Sequence, residues 1–116
     1  MTDYSLKMIL LEGCPYSISA SKLLKSFNIK NNEIWINQEN KEKYKTDKIS
    51  TFPQIYLTKK NKIGNLLIGG YSDLKYLFDL VYKKNYNSET VNIIRNKYNY
   101  SKKTTLRVIQ LINNIN

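Results

Sequence analysis

LEGCPYSIS, residues 11–19, holds the only cysteine of the 116-residue chain, Cys14, between Gly13 and Pro15 and three positions before Ser17. A second sulfur at position 17 would complete a Cys-x-x-Cys pair. With serine there, the surroundings must decide whether the thiol is reactive, because free cysteines are often buried as small hydrophobes. Upstream, SLKMILL (5–11) is a short apolar run halted by Gly13 and Pro15, which predicts a buried strand entering a turn. Downstream the period changes. Ile18, Leu23, Leu24 and Phe27 recur at helical spacing, and Pro15 falls in the first turn, where a missing N–H is tolerated. Cys14 thus sits between a strand and a helix N-terminus.

Working outward, EIWIN (33–37) predicts a second strand and the charged QENKEKYKTDK (38–48) a solvated helix. QIYLT (54–58) and NLLIG (65–69) read as two strands of a hairpin joined by the polar KKNKI. Ser72 can cap a helix running to Tyr82, with Leu74, Leu77, Phe78 and Val81 on its apolar face. The resulting order, β-α-β-α-β-β-α, describes a layered α/β domain complete by about Lys83. After a linker, KKNYN (83–87), Ser88 can cap a helix to about Tyr98, and TTLRVIQLINNI (104–115) predicts another. The chain divides at residue 83, into a domain over 1–83 and a basic helical extension over 84–116.

The length suits one compact domain, and 41% hydrophobic residues suffice for a core. One cysteine forbids an internal disulfide. The apolar run near the amino terminus is too short for a signal peptide, and no stretch approaches the roughly 18 apolar residues of a membrane span. A reducing, cytoplasmic setting is expected, with no membrane association. The net charge of +10 raises the question of nucleic acid. Of the 19 basic residues, however, only Arg95 and Arg107 are arginine, the side chain whose planar fork suits bases and phosphates. Lysine, asparagine, isoleucine and tyrosine are abundant together, a bias that AT-rich codons produce unaided. Nucleic acid is not the expected partner.

At a helix start, unpaired N–H groups and the helix dipole stabilise an anion such as a thiolate. Thiols so situated titrate below the free value of about 8.5, and the thiolate is the nucleophile. Two later segments add to this. In STFPQIYL (50–57), Pro53 stands at the very start of a strand. In IGGYSDL (68–74), paired glycines link a strand end to a helix start, which supplies a further group of unpaired N–H donors.

Cys14-Pro15-Tyr16-Ser17, Thr51-Phe52-Pro53 and Gly69-Gly70-Tyr71-Ser72-Asp73 together resemble the CPYC/S, TVP and GGxxD motifs of the glutaredoxin family, in the same order and spacing. The resemblance spans about residues 5–82. It implies a thioredoxin-like fold with a four-stranded mixed sheet, here followed by two C-terminal helices, and a cis peptide bond before Pro53. It also implies glutathione as cosubstrate. Cys14 would be the catalytic thiol within the active-site motif Pro15, Tyr16 and Ser17. Glutathione would lie against Thr51, Phe52, Pro53, Gly70, Tyr71, Ser72 and Asp73: its cysteinyl part on the Phe52 backbone, its γ-glutamyl carboxylate on donors near Tyr71 and Ser72, and its ammonium on Asp73. Many relatives carry a lysine three residues before the cysteine, for the glycyl carboxylate. Leu11 stands there instead, and Lys45 or Lys48 could reach that end of the tripeptide.

Because Ser17 cannot close an internal disulfide, the implied activity is monothiol deglutathionylation of mixed disulfides by a monomer whose partners are glutathione and glutathionylated proteins. Two alternatives stand beside it. One is a carrier of a [2Fe-2S] cluster ligated by Cys14 and glutathione in a dimer; otherwise no metal is expected. The other is a non-enzymatic binding module with a basic tail. The tail lies outside the resemblance. Between residues 84 and 116, Lys84, Arg95, Lys97, Lys102, Lys103 and Arg107 against Glu89 leave +5 of the +10. Val91, Ile94, Tyr98, Leu106, Ile109 and Ile112 recur there at helical spacings. An electrostatic arm has no need of such a stripe, so the two helices are expected to pack back onto the core, away from Cys14.

Overall fold

The strand that leads to the cysteine is the centre of the molecule. The structure, a computed structural model, describes residues 4–29, 31–59, 65–81 and 87–113. Among these the elements run β1 (Tyr4–Leu11), α1 (Pro15–Ser26), β2 (Asn31–Ile36), α2 (Lys41–Tyr44), β3 (Gln54–Lys59), β4 (Asn65–Gly69), α3 (Tyr71–Val81), α4 (Ser88–Tyr98) and α5 (Lys102–Ile112). One mixed sheet has the order β2-β1-β3-β4, with β1 parallel to β2 and antiparallel to β3, and β3 antiparallel to β4. Helices pack on it in the thioredoxin-like arrangement.

β1 is covered on both faces. Leu6, Met8 and Leu10 enter the main core with Ala20, Leu24, Ile55, Leu57, Leu74 and Phe78. Ile9 and Leu11 point the other way and join Ile36 in a smaller cluster, against which Cys14, Tyr44, Phe52 and Tyr56 pack. A strand buried on both sides needs an unbroken apolar run rather than an alternating one, which is what MILL (8–11) supplies. α1 ends where Asn28 takes a left-handed conformation, φ 55°, and the Ile29 N–H donates to the Leu24 carbonyl at 3.0 Å. Asparagine tolerates that geometry better than most residues.

Several boundaries differ from those predicted. The helix expected over 38–48 is a single turn, Lys41–Tyr44. Its sequence has no apolar stripe to bury, and the fully buried Gln54 amide donates to the Tyr44 carbonyl at 2.8 Å, tying the end of the turn to the start of β3. α3 is not capped by Ser72. Gly70 takes that position: its carbonyl accepts from Leu74 N–H at 3.1 Å, while Asp73 Oδ2 reaches back to accept from Gly70 N–H at 3.1 Å. α4 is capped by Asn87 rather than Ser88, through a reciprocal pair with Thr90, and α5 begins at Lys102 behind the cap Ser101. The turn through 60–64, Tyr82, the linker over 83–86 and the end of the last helix at 114–115 lie outside the described residues.

Val91, Ile94, Val108, Ile109, Leu111 and Ile112 lie in the same buried cluster as the inner faces of β1 and α3. Part of the extension's positive charge rests on aromatic rings. The Arg107 guanidinium lies 5.3 Å from the Tyr4 ring centroid, and Lys97 Nζ lies 4.8 Å from that of Tyr76. Among the described residues no helix is long and apolar enough to cross a membrane.

Candidate active site

Gly13 adopts φ 78°, a conformation that favours glycine, and so turns the chain out of β1. Cys14 follows as the N-cap of α1 in extended geometry, with Pro15 opening the helix. Its N–H donates to the Leu11 carbonyl and its carbonyl accepts from the Ile18 N–H, both at 3.1 Å. The backbone groups of Cys14 are thereby used up in holding the turn, while the thiol is half-buried with one side against the small apolar cluster. Cys14 Sγ lies 3.8 Å from the Phe52 carbonyl oxygen, to which the thiol can donate. The Phe52–Pro53 peptide bond is cis.

Tyr16, Thr51, Phe52, Pro53, Gly70, Tyr71 and Ser72 line one cavity of about 370 Å³. Cys14 adjoins it through Phe52, and Asp73 adjoins it through Gly70. Three segments far apart in the chain thus meet because β1 and β3 are neighbours and β4 leads directly into α3. The Tyr16 ring, 64% exposed, approaches the Tyr71 ring at 6.1 Å between centroids, so two aromatic side chains flank the cavity. A hollow of about 410 Å³ elsewhere is lined by Lys102, Lys103, Leu106, Arg107 and Gln110, all from α5, with no thiol, hydroxyl or carboxylate among them.

Lys45 and Lys48 are not among the residues lining the cavity. Lys45 Nζ pairs with Glu42 Oε1 at 2.9 Å, and Lys48 is exposed in the loop shaped by Thr46. Leu11 is buried in the small cluster, 9% exposed, so its side chain packs under the site rather than facing a ligand.

Three features were not read from the sequence. Ser17 is fully buried, and its hydroxyl oxygen accepts from the Leu11 N–H at 3.0 Å. It locks the first turn of α1 onto the end of β1. The second is Gly69, φ 140°, where a Cβ would collide with the Asp73 carboxyl group; its lack of a side chain makes room for that carboxylate. The third comes from α4: the Tyr98 hydroxyl donates to Asp73 Oδ1 at 3.0 Å. Burial, followed by the charge of Asp73, holds the Tyr98 phenol far above its ordinary value. The same two causes push Tyr100 up to about 12.

A sequence model of the glutaredoxin family matches residues 4–61, half of the chain. The chain belongs to the glutaredoxin family. A crystal structure of glutaredoxin 1 from Francisella tularensis, complexed with cacodylate, is similar to it at 26% identity and a TM-score of 0.50, covering 70% of this chain and 99% of that one. No curated protein matches it. The family and the fold support a general thiol–disulfide oxidoreductase role for this glutaredoxin, and they give its one thiol a framework in which to act.

Removing the Ser17 hydroxyl separates structure from chemistry. Ser17→Ala leaves the buried Leu11 N–H without its acceptor, at an expected cost of about 1–3 kcal/mol in stability. Turnover by the folded enzyme should hardly change, since the hydroxyl is engaged with the backbone. Denaturant midpoints measured alongside steady-state rates check this, and a large loss of turnover at unchanged stability would assign the hydroxyl to the chemistry.

Proposed function

We propose that the protein is a monothiol, glutathione-dependent oxidoreductase that removes glutathione from mixed disulfides. The observation that carries this reading is the half-buried Cys14 thiol at the start of α1, 3.8 Å from the Phe52 carbonyl and beside a cavity lined by Thr51–Pro53 and Gly70–Ser72. The chain contains no second cysteine, and Ser17 holds the position of a resolving thiol.

The cycle needs one sulfur. Cys14 thiolate attacks the glutathione sulfur of a protein–glutathione disulfide, and the protein thiolate leaves and takes a proton from solvent. A second glutathione, as its thiolate, then attacks the glutathione sulfur now bonded to Cys14. Oxidised glutathione departs and the Cys14 thiolate is regenerated. The cosubstrate would lie along the cavity, its cysteinyl backbone paired with Phe52 in the manner of an added strand. Its γ-glutamyl carboxylate would meet the N–H groups of Tyr71 and Ser72, which have no helical carbonyl partner at the start of α3. Its ammonium would meet Asp73. Each Asp73 oxygen already accepts one bond, from Gly70 or Tyr98, and each retains a further lone pair. The partners in this reading are glutathione and glutathionylated proteins, met by a monomer in the cytoplasm.

Asp73→Ala tests the binding site. It is expected to raise KM for a glutathionylated peptide by about tenfold or more, the scale of a lost charge-assisted contact, while alkylation of Cys14 by iodoacetamide proceeds at the wild-type rate. Unaltered KM would remove glutathione from this site.

A further inference from the structure

Asp73 is gripped from two sides, by the turn that precedes α3 and by α4. Its Oδ2 accepts from the Gly70 N–H at 3.1 Å and its Oδ1 from the Tyr98 hydroxyl at 3.0 Å. The family model ends at residue 61, and the Francisella structure leaves three tenths of this chain without a counterpart. Tyr98 is itself held. Its ring stacks on Tyr100 at 5.4 Å and 19°, and the Tyr100 hydroxyl donates to the Leu67 carbonyl of β4 at 3.1 Å. Between them Asn99, φ 57°, turns the chain so that both phenols face the β4–α3 junction. The two tyrosines clip the last turn of α4 across the segment that carries Gly69, Gly70 and Asp73.

A carboxylate bonded at one oxygen can still swing about its side-chain torsions, and any ligand it binds must first lose that freedom. With both oxygens engaged, and with the group lying over the bare backbone of Gly69, the carboxylate is fixed in one orientation before a ligand arrives. We propose that Tyr98 is a positioning residue for the γ-glutamyl end of glutathione, fixing the Asp73 carboxylate in the orientation that receives the ammonium. This rests on the glutathione reading of the site and extends it to the C-terminal helices. The phenol remains a donor throughout the physiological range, since burial and the neighbouring carboxylate oppose its ionisation.

The test uses the full-length protein and a glutathionylated peptide. Tyr98→Phe keeps the ring and removes only the hydroxyl; KM is expected to rise about three- to tenfold with kcat and Cys14 alkylation unchanged. With the same peptide carrying N-acetylglutathione, which has no ammonium, the variant and wild type should give equal KM. Unchanged KM in Tyr98→Phe, or an equal loss on both substrates, would overturn the proposal. Asp73→Ala separates the two levels. If it raises KM while Tyr98→Phe does not, only the role of Tyr98 falls; if neither variant alters KM, the glutathione reading of Asp73 falls with it.

Discussion

Cys14→Ser is expected to abolish turnover of a glutathione mixed disulfide, by at least about a thousandfold, leaving only the uncatalysed exchange with free glutathione. A hydroxyl at that position is not ionised at neutral pH and cannot form or release a disulfide. The backbone bonds that hold the turn, from Cys14 N–H to Leu11 and from Ile18 N–H to Cys14, do not involve the sulfur, so the variant should fold as wild type does. The Sγ contact it alters is a 3.8 Å approach to Phe52, too weak to weigh much in stability. The comparison is therefore clean: equal unfolding midpoints, with activity only in the wild type. Since the chain has no other cysteine, mass spectrometry after exposure to oxidised glutathione should find one added glutathione on wild type and none on Cys14→Ser. Residual turnover near the wild-type rate would mean that the sulfur is not the nucleophile.

The second large effect concerns α4 and α5. Ile109 and Ile94 are fully buried against residues of β1 and α3, and Ile109→Ala is expected to cost about 2–5 kcal/mol, the usual range for an emptied core site. In a domain of this size that corresponds to a fall in Tm of roughly 10 °C or more. Truncation after Asn87 should do more, because it removes Val91, Ile94, Val108, Ile109, Leu111 and Ile112 from the main core at once. Whatever folded protein remains should alkylate at Cys14 normally but bind glutathionylated substrate more weakly, because Tyr98 is gone. An equally stable, monomeric truncated protein that had lost only the binding of an acidic partner would make the extension an interaction arm instead.

The same packing predicts a pH dependence. The Tyr100 phenol is raised in the folded state from 10.0 to about 12, and Tyr98 is raised further. The stability these groups supply is therefore complete below pH 10 and is lost as the pH climbs through 12, because the unfolded chain gives up those protons first. Alkaline unfolding curves of wild type and of the Tyr98→Phe, Tyr100→Phe double variant should converge as the pH rises.

What the sequence determined by itself is local. Gly13, Cys14 and Pro15 carry the strand-to-helix turn in three consecutive residues, and Thr51-Phe52-Pro53 and Gly69-Gly70 mark the two other edges of the cavity in the same way. Each depends on backbone preferences that neighbours in sequence express without help. The stretch over 38–48 has helical composition but forms only the single turn Lys41–Tyr44, because it has almost nothing to bury: only Tyr44 meets the core. Tertiary structure alone decided the partners of single polar atoms. That the Ser17 hydroxyl would be spent on the Leu11 N–H, that Asp73 would lie over Gly69, and that a tyrosine 25 residues away would donate to it are consequences of packing. Hydrophobic periodicity tells which face of a helix is buried, but a hydroxyl's partner depends on ångström-scale placement between elements, and no one-dimensional pattern encodes that distance.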